Sequence, residues 1–173
     1  FDFFMGWMHV LFKILEKAGN SQMPIPSASA TIDGCMEKGM DVMWGGAKYN
    51  STTIQMVAVP NVIDGIIAIK KFVFEEKLFT FAQIKEALAK NFEGEEYLQN
   101  LLKNKSVKYG NDEDEVDLIG TDIVDFLYDE MEQYTSPRGG KYRLALYTIA
   151  SNVLFAKHTG ATPDGRKAFD NLA

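Results

Sequence analysis

The sequence predicts an α/β protein, mainly helical, with two extended segments set far apart along the chain. Three observations predict it. Apolar residues recur at helical spacing in several runs bounded by capping residues. Two other stretches, around 45–58 and 143–155, carry the glycine and β-branched character of strands. Two such strands need partners before they can form a stable sheet. The chain is therefore expected to lend its strands to a larger sheet or barrel, as one partial domain over residues 1–173.

Taken in order, residues 3–18 read as a helix apolar on most faces, stopped by Gly19-Asn20. Met23-Pro24-Ile25-Pro26-Ser27 follows as a loop stiffened by two prolines. Residues 28–38 read as a short helix closed by Gly39. Residues 45–58 are the first extended segment. Asn61 is placed to cap a helix over 62–76, with Val62, Ile66, Ile69 and Val73 at helical spacing. Thr80 and Gln83 form a capping box ahead of a helix over 81–91. Residues 94–104 make another short helix. Asn111 is placed to cap a long helix to about Tyr134, whose acidic first turn, Asp112 to Glu115, suits the positive end of the helix dipole. Its stripe is Val116, Ile119, Ile123, Phe126, Leu127 and Met131. Pro137-Arg138-Gly139-Gly140 breaks the chain, and 143–155 is the second strand.

Composition narrows the function classes. With 46% apolar and 24% charged residues, 12 Phe, 7 Tyr and 2 Trp, the 173 residues suffice for a filled core. A formal net charge of −6 with no basic run argues against nucleic acid as partner. The single cysteine, Cys35, excludes an internal disulfide and paired-cysteine zinc sites, and fits a reducing, cytoplasmic setting. His9 and His158 lie too far apart in sequence to suggest a metal pair. The apolar opening FDFFMGWMHVLFKIL is interrupted by Asp2, His9 and Lys13, and lacks the basic leader of a signal peptide. It reads as a core helix, and no membrane association is expected. Because the chain opens on Phe1 it is expected to be processed or cut from something longer.

Five short motifs then occur in a fixed order. They are Asp33-Gly34-Cys35-Met36-Glu37-Lys38-Gly39, Gly45-Gly46-Ala47-Lys48-Tyr49-Asn50, Lys108-Tyr109-Gly110-Asn111-Asp112, Ser136-Pro137-Arg138-Gly139-Gly140, and Gly160-Ala161-Thr162-Pro163-Asp164-Gly165-Arg166-Lys167-Ala168. Together, from about residue 24 onward, they resemble the glycyl radical enzymes: pyruvate formate-lyase, the glycerol and choline lyases, and the arylacetate decarboxylases.

The resemblance implies a ten-stranded α/β barrel that encloses an anaerobic radical reaction. A separate S-adenosylmethionine-dependent activating enzyme makes a glycyl radical in an R-V-x-G-Y-like segment. That radical draws a hydrogen atom from a cysteine on a central loop, and the thiyl draws one from a small-molecule substrate. Neither the R-V-x-G-Y segment nor a second cysteine occurs in the 173 residues. The resemblance thus implies an internal piece of the C-terminal half, inactive alone, that binds no cofactor itself. Its parent would be a lyase, dehydratase, decarboxylase or formate acetyltransferase, and a homo-oligomer. The alternative is a non-catalytic helical interaction module derived from the family.

Gly34-Cys35-Met36-Glu37 by itself matches the catalytic G-C-x-E pattern, and a thiyl beside a carboxylate base would make chemical sense. The following Lys38-Gly39 and GGAKYN instead resemble a later helix of the family, where the cysteine is structural. No catalytic residue is assigned. For the substrate pocket the candidates are Tyr147 and Ile149, which share one face of the expected strand 143–155, and Ser27 and Ser29 of the proline loop. Their plainer uses are core packing for the first pair and helix capping for the second. Gly45 and Gly46 are expected to supply unusual backbone angles or a close approach, in a turn or at a pocket wall. Arg166 is expected to hold an anion or a salt bridge within the fold.

Overall fold

A computed structural model describes residues 2–173. Its elements are α1 (Asp2–Gln22), α2 (Pro26–Ser29), α3 (Cys35–Lys38), a 3₁₀ turn (Val42–Trp44), β1 (Thr52–Met56), α4 (Val59–Ile69), α5 (Phe81–Ala89), α6 (Glu96–Asn104), α7 (Asp114–Glu132), β2 (Tyr142–Leu146) and α8 (Asn152–Ala156). The architecture is mainly helical with a small sheet, as the sequence predicts. The chain divides into two compact units, each discontinuous in sequence. Unit 1 comprises residues 1–55 and 125–145, and unit 2 comprises 56–124 and 146–173.

Several boundaries differ from expectation, each for a local reason. In α1 the helix runs past Gly19-Asn20, because Met23 N–H still donates to Gly19 O at 3.0 Å. It stops before Pro24, whose ring disfavours a helical residue ahead of it. The expected helix over 28–38 is two short ones, parted where Gly34 takes φ 94°; Gly39 closes the second in the left-handed region, as expected. Helix α4 begins at Val59, so Asn61 lies inside the first turn rather than capping it. Pro60 is tolerated there because the first turn's N–H groups need no helical partner. The expected continuation to residue 76 is a π-helical turn, Lys70–Glu75, closed by Glu76 N–H on Lys71 O at 2.8 Å. Helix α7 starts at Asp114, three residues beyond Asn111. The Thr80–Gln83 capping box forms as read from the sequence.

The two extended segments do find a partner: each other. Thr52 N–H donates to Lys141 O at 3.1 Å and Tyr147 N–H to Met56 O at 2.9 Å, so the strands run in the same direction. The expected strand over 143–155 ends at Leu146. Beyond Met56 the chain turns into α4 through Ala58, at φ 64°, and no further strand among the described residues is there for β2 to pair with. The chain then coils into α8. Tyr147, Ile149 and Ser151 consequently do not share a strand face.

Unit 1 buries Met5, Cys35, Ala47, Leu127, Met131 and Tyr142. On α1, His9 stacks on Tyr134 at 4.2 Å between ring centroids and meets the edge of Tyr142 at 5.5 Å. The opposite face of α1 leaves Phe3, Trp7, Val10, Leu11, Ile14 and Leu15 exposed. Unit 2 has its core in Ala68, Phe72, Ile84, Ala87, Phe92, Leu98 and Leu102, drawn from α4 to α6. A second cluster joins Ile63 and Ile67 of α4 to Val116 of α7. Gly120 allows this approach, since a Cβ there would stand 3.1 Å from Ile63 Cδ1. No described helix is long and apolar enough to cross a membrane.

Candidate functional site

In unit 1 three of the five motifs are tied into one knot. Lys48 N–H donates to Asp33 O at 2.8 Å, and Lys38 Nζ donates to Ala47 O at 2.8 Å. The Asn50 carboxamide donates to Gly45 O at 3.1 Å and Ala47 O at 2.9 Å, closing the GGAKYN loop on itself. Its glycines are required by contact. Gly45, at φ 92°, brings its Cα face against Arg138 O, 3.0 Å from where a Cβ would stand. A Cβ on Gly46 would overlap Met40 O, and one on Gly140 would overlap Asn50 O. Cys35 is buried at the start of α3, 2% exposed.

Arg138 extends the knot to α1. Its NH2 donates to Ser51 O at 3.2 Å and Thr52 Oγ1 at 3.0 Å, and stands 3.4 Å from Glu16 Oε1, which also accepts from Thr52. The hydroxyl of buried Tyr142 feels both charges. Burial pushes its pKa up, Glu16 adds to that, and Arg138 opposes. Nothing in local spacing announces the Glu16–Arg138 link, since its partners come from opposite ends of the sequence.

Ser29 sits inside this unit, 8% exposed, with its hydroxyl fully used. Oγ lies 2.8 Å from Asp41 Oδ2 and 2.9 Å from Ile25 O, and accepts from Val42 N–H at 2.9 Å. Asp41 also accepts from Ile25 N–H at 3.0 Å and Met43 N–H at 2.8 Å. Burial works against its charge, but the bonds from Met43, Ser29 and Ile25 prevail and hold the carboxyl below its ordinary value. Ser27, two residues earlier, is exposed.

In unit 2 the remaining two motifs meet. Lys108 Nζ donates to Leu102 O and Asp164 O, each at 3.0 Å, and Tyr109 N–H donates to Asp64 Oδ1 at 2.8 Å. Lys108 and Asp64 face each other at 3.9 Å, too far for a hydrogen bond. That attraction does not repay the loss of water. Burial pushes the Asp64 carboxyl up despite Tyr109 and Lys108, and pushes the Lys108 ammonium down despite Asp64 and Asp164. Gly165, at φ 90°, fits because a Cβ there would crowd Lys103 N at 2.7 Å.

Arg166 pairs with no carboxylate among the described residues; its own turn takes up the guanidinium instead. Buried to 6% exposure, it donates to Thr162 Oγ1 at 3.2 Å and to the carbonyls of Lys167 (2.9 Å), Asp170 (2.6 Å), Thr159 (3.3 Å) and Gly160. Its five donors are thus matched by the turn it organises.

Beside this turn lies an apolar groove of about 450 Å³, with Val57, Val62, Ile66, Phe155, Pro163 and Leu172 on its wall. The polar side chains there are engaged: Asn61 with Asp164, Thr159 with Phe155 O, Thr162 with Asp164. Tyr147 and Ile149 also belong to unit 2 and are exposed, at 46% and 36%. No group of three or more His, Cys, Asp or Glu able to hold a metal occurs among the described residues.

Known proteins carry the same segment. The family model described as pyruvate formate lyase-like matches residues 1–156. Trans-4-hydroxy-L-proline dehydratase of Clostridioides difficile is 39% identical over 153 residues, 88% of this chain and 19% of the relative. (2S)-3-sulfopropanediol dehydratase of Klebsiella oxytoca is 32% identical over 178 residues, 100% of this chain and 21% of the relative. The solved glycerol-bound form of the B12-independent glycerol dehydratase from Clostridium butyricum matches with a TM-score of 0.89 at 39% identity, over 99% of this chain and 22% of that one. The chain therefore spans about a fifth of the length of these relatives.

Proposed function

The chain belongs to the pyruvate formate lyase-like family of glycyl radical enzymes, and from that premise we propose that it is wall and pocket of a radical dehydratase or lyase. The observation that carries the reading is that all five family motifs are built into the two units as packing nodes. The family's reactive groups, by contrast, have no counterpart among them. Cys35 is buried in a glycine-bounded turn, which supports a structural role. The R-V-x-G-Y segment is not among the 173 residues.

The relatives named as dehydratases cleave a C–O bond and those named as sulfite-lyases a C–S bond. This favours cleavage of a small polar substrate over formate acetyl transfer. In the assembled barrel, β1 and β2 supply two neighbouring parallel strands. Tyr147 and Ile149, exposed just past the end of β2, are the pocket candidates of unit 2, and Ser27, the exposed serine of the proline loop, is the candidate of unit 1. Ser29 contributes by fixing that loop. The radical is installed elsewhere in the parent by an activating enzyme that uses S-adenosylmethionine. This chain shapes the cavity, and it does so in the cytoplasm, within a homo-oligomer of the parent.

The test is electron paramagnetic resonance of the 173-residue chain after anaerobic incubation with an activating enzyme and S-adenosylmethionine. A flat spectrum is expected, and a glycyl doublet from this chain alone sinks the proposal. The exposed apolar face of α1 favours a second reading, an interaction module. A stable, monodisperse oligomer in size-exclusion chromatography would select it.

A further inference from the structure

Two asparagines of unit 2 hold residue 173 on both sides of its backbone. Asn61 Oδ1 accepts from Ala173 N–H at 2.8 Å, and Asn152 Nδ2 donates to Ala173 O at 3.0 Å. The orientation of the first carboxamide is set from behind. Asn61 Nδ2 is committed to Asp164 Oδ2 at 2.6 Å, so its oxygen is the atom left for the Ala173 N–H. The second is set by its element: Asn152 opens α8, is 8% exposed, and anchors its own N–H on Ile149 O at 3.0 Å. One residue before Ala173, Leu172 lies on the apolar wall of the groove.

A carboxamide offers one acceptor and two donors, the same groups that a neighbouring strand presents to an extended chain. Two of them, one used through its oxygen and one through its nitrogen, grip a peptide without regard to its side chain. The apolar contact of Leu172 and the polar grip on Ala173 act on consecutive residues, so they fix both the depth and the direction of the segment. We propose that Asn61 and Asn152 are positioning residues that form a backbone-reading clamp. It sets the course of the polypeptide across the groove after the Pro163–Arg166 turn. The clamp rests on bonds within unit 2 and stands or falls independently of the radical reading.

Amide hydrogen exchange by NMR on the 173-residue chain tests it. In the wild type the Ala173 N–H should exchange about ten-fold or more slowly than in a free peptide of the same C-terminal sequence. Asn152→Asp keeps the shape but turns the donor into an acceptor that repels Ala173 O. With the grip on Ala173 O lost and only the Asn61 bond left, it should reduce that protection several-fold while the amides of Phe72 and Leu102 keep theirs. An Ala173 amide that exchanges at the free-peptide rate in the wild type overturns the proposal, with no variant needed. So does an Asn152→Asp chain that loses protection at Phe155 and Lys157 of α8 but keeps it at Ala173, since the side chain would then serve only its helix.

Discussion

Replacing Ser29 with alanine separates a structural hydroxyl from a substrate-binding one. The hydroxyl proton serves one acceptor at a time. Asp41 Oδ2, ionised and 2.8 Å away, is the stronger claimant over Ile25 O. A hydrogen bond of a buried hydroxyl contributes about 0.5–1.5 kcal/mol, and a donor left unpaired away from water costs about 1–3 kcal/mol. Ser29→Ala removes the first and orphans Val42 N–H, which donates to Oγ at 2.9 Å. These bonds are only part-buried, so the expected loss is about 2 kcal/mol. For a chain of this size that lowers Tm by about 4–8 °C. Urea unfolding followed by far-ultraviolet circular dichroism reads it directly, with an unchanged m-value showing that the denatured state is not the cause. Ser27→Ala, at an exposed site, should stay within about 0.5 kcal/mol. A Ser29→Ala loss under about 1 kcal/mol would refute the reasoning and return the hydroxyl to the pocket candidates.

Other outcomes follow from the same geometry. Ala58 holds a left-handed φ of 64° ahead of α4, so Ala58→Gly should stabilise by about 1 kcal/mol, read as a Tm increase of about 2–4 °C. Gly140→Ala sets a Cβ against the Asn50 carbonyl oxygen, a backbone atom that cannot swing aside, and should cost about 3 kcal/mol or more in a denaturant melt. Asp64 has a folded pKa above its unfolded value, so the folded state takes up its proton first as pH falls. The penalty present at neutral pH is relieved through the folded pKa, and wild type should gain stability relative to Asp64→Asn between about pH 7 and pH 4. Asp41 has the opposite sign. Its contribution exists above the unfolded pKa and is lost as pH falls through the lowered folded value, so wild type should lose ground to Asp41→Asn below about pH 4. A difference curve of the opposite sign at either residue contradicts the assignment for that residue.

What the sequence made legible was whatever depends on neighbours a few residues apart. The Thr80–Gln83 box, the Gly39 stop and the helical spacing of Val116, Ile119 and Ile123 on α7 are such features, and each is present in the fold, whereas Phe126, read into the same stripe, is exposed. Features set by distant residues were not legible. Asn61 has the right chemistry for a helix cap, but Asp164 and Ala173 claim its carboxamide. The segment 143–155 has strand composition throughout, yet its paired length was decided by where β1 turns away at Ala58. The π turn at Lys70–Glu75 left no trace in a spacing that fits an α-helix nearly as well. For the site, the motifs picked out by their order lie at packing nodes of the two units. That order could not reveal that Ser29 is consumed by Asp41, or that Arg166 spends its donors on the carbonyls and the Thr162 hydroxyl of its own turn.

The split of each unit into separated stretches of sequence bears on how the chain reaches its native state. Unit 1 is complete only when residues 125–145 return to residues 1–55, with Gly140 seated on Asn50 and Gly45 on Arg138. On a ribosome the GGAKYN loop emerges long before Arg138 does, and β1 waits for β2 with one long edge unpaired. Closing a loop of that length costs only a little more entropy than closing a short one, but it delays the reward until late in synthesis. In that interval the apolar face of α1 and the bare edge of β1 are open to improper pairing. Newly made chains should therefore depend on chaperones or low temperature for yield far more than the finished fold depends on either for survival.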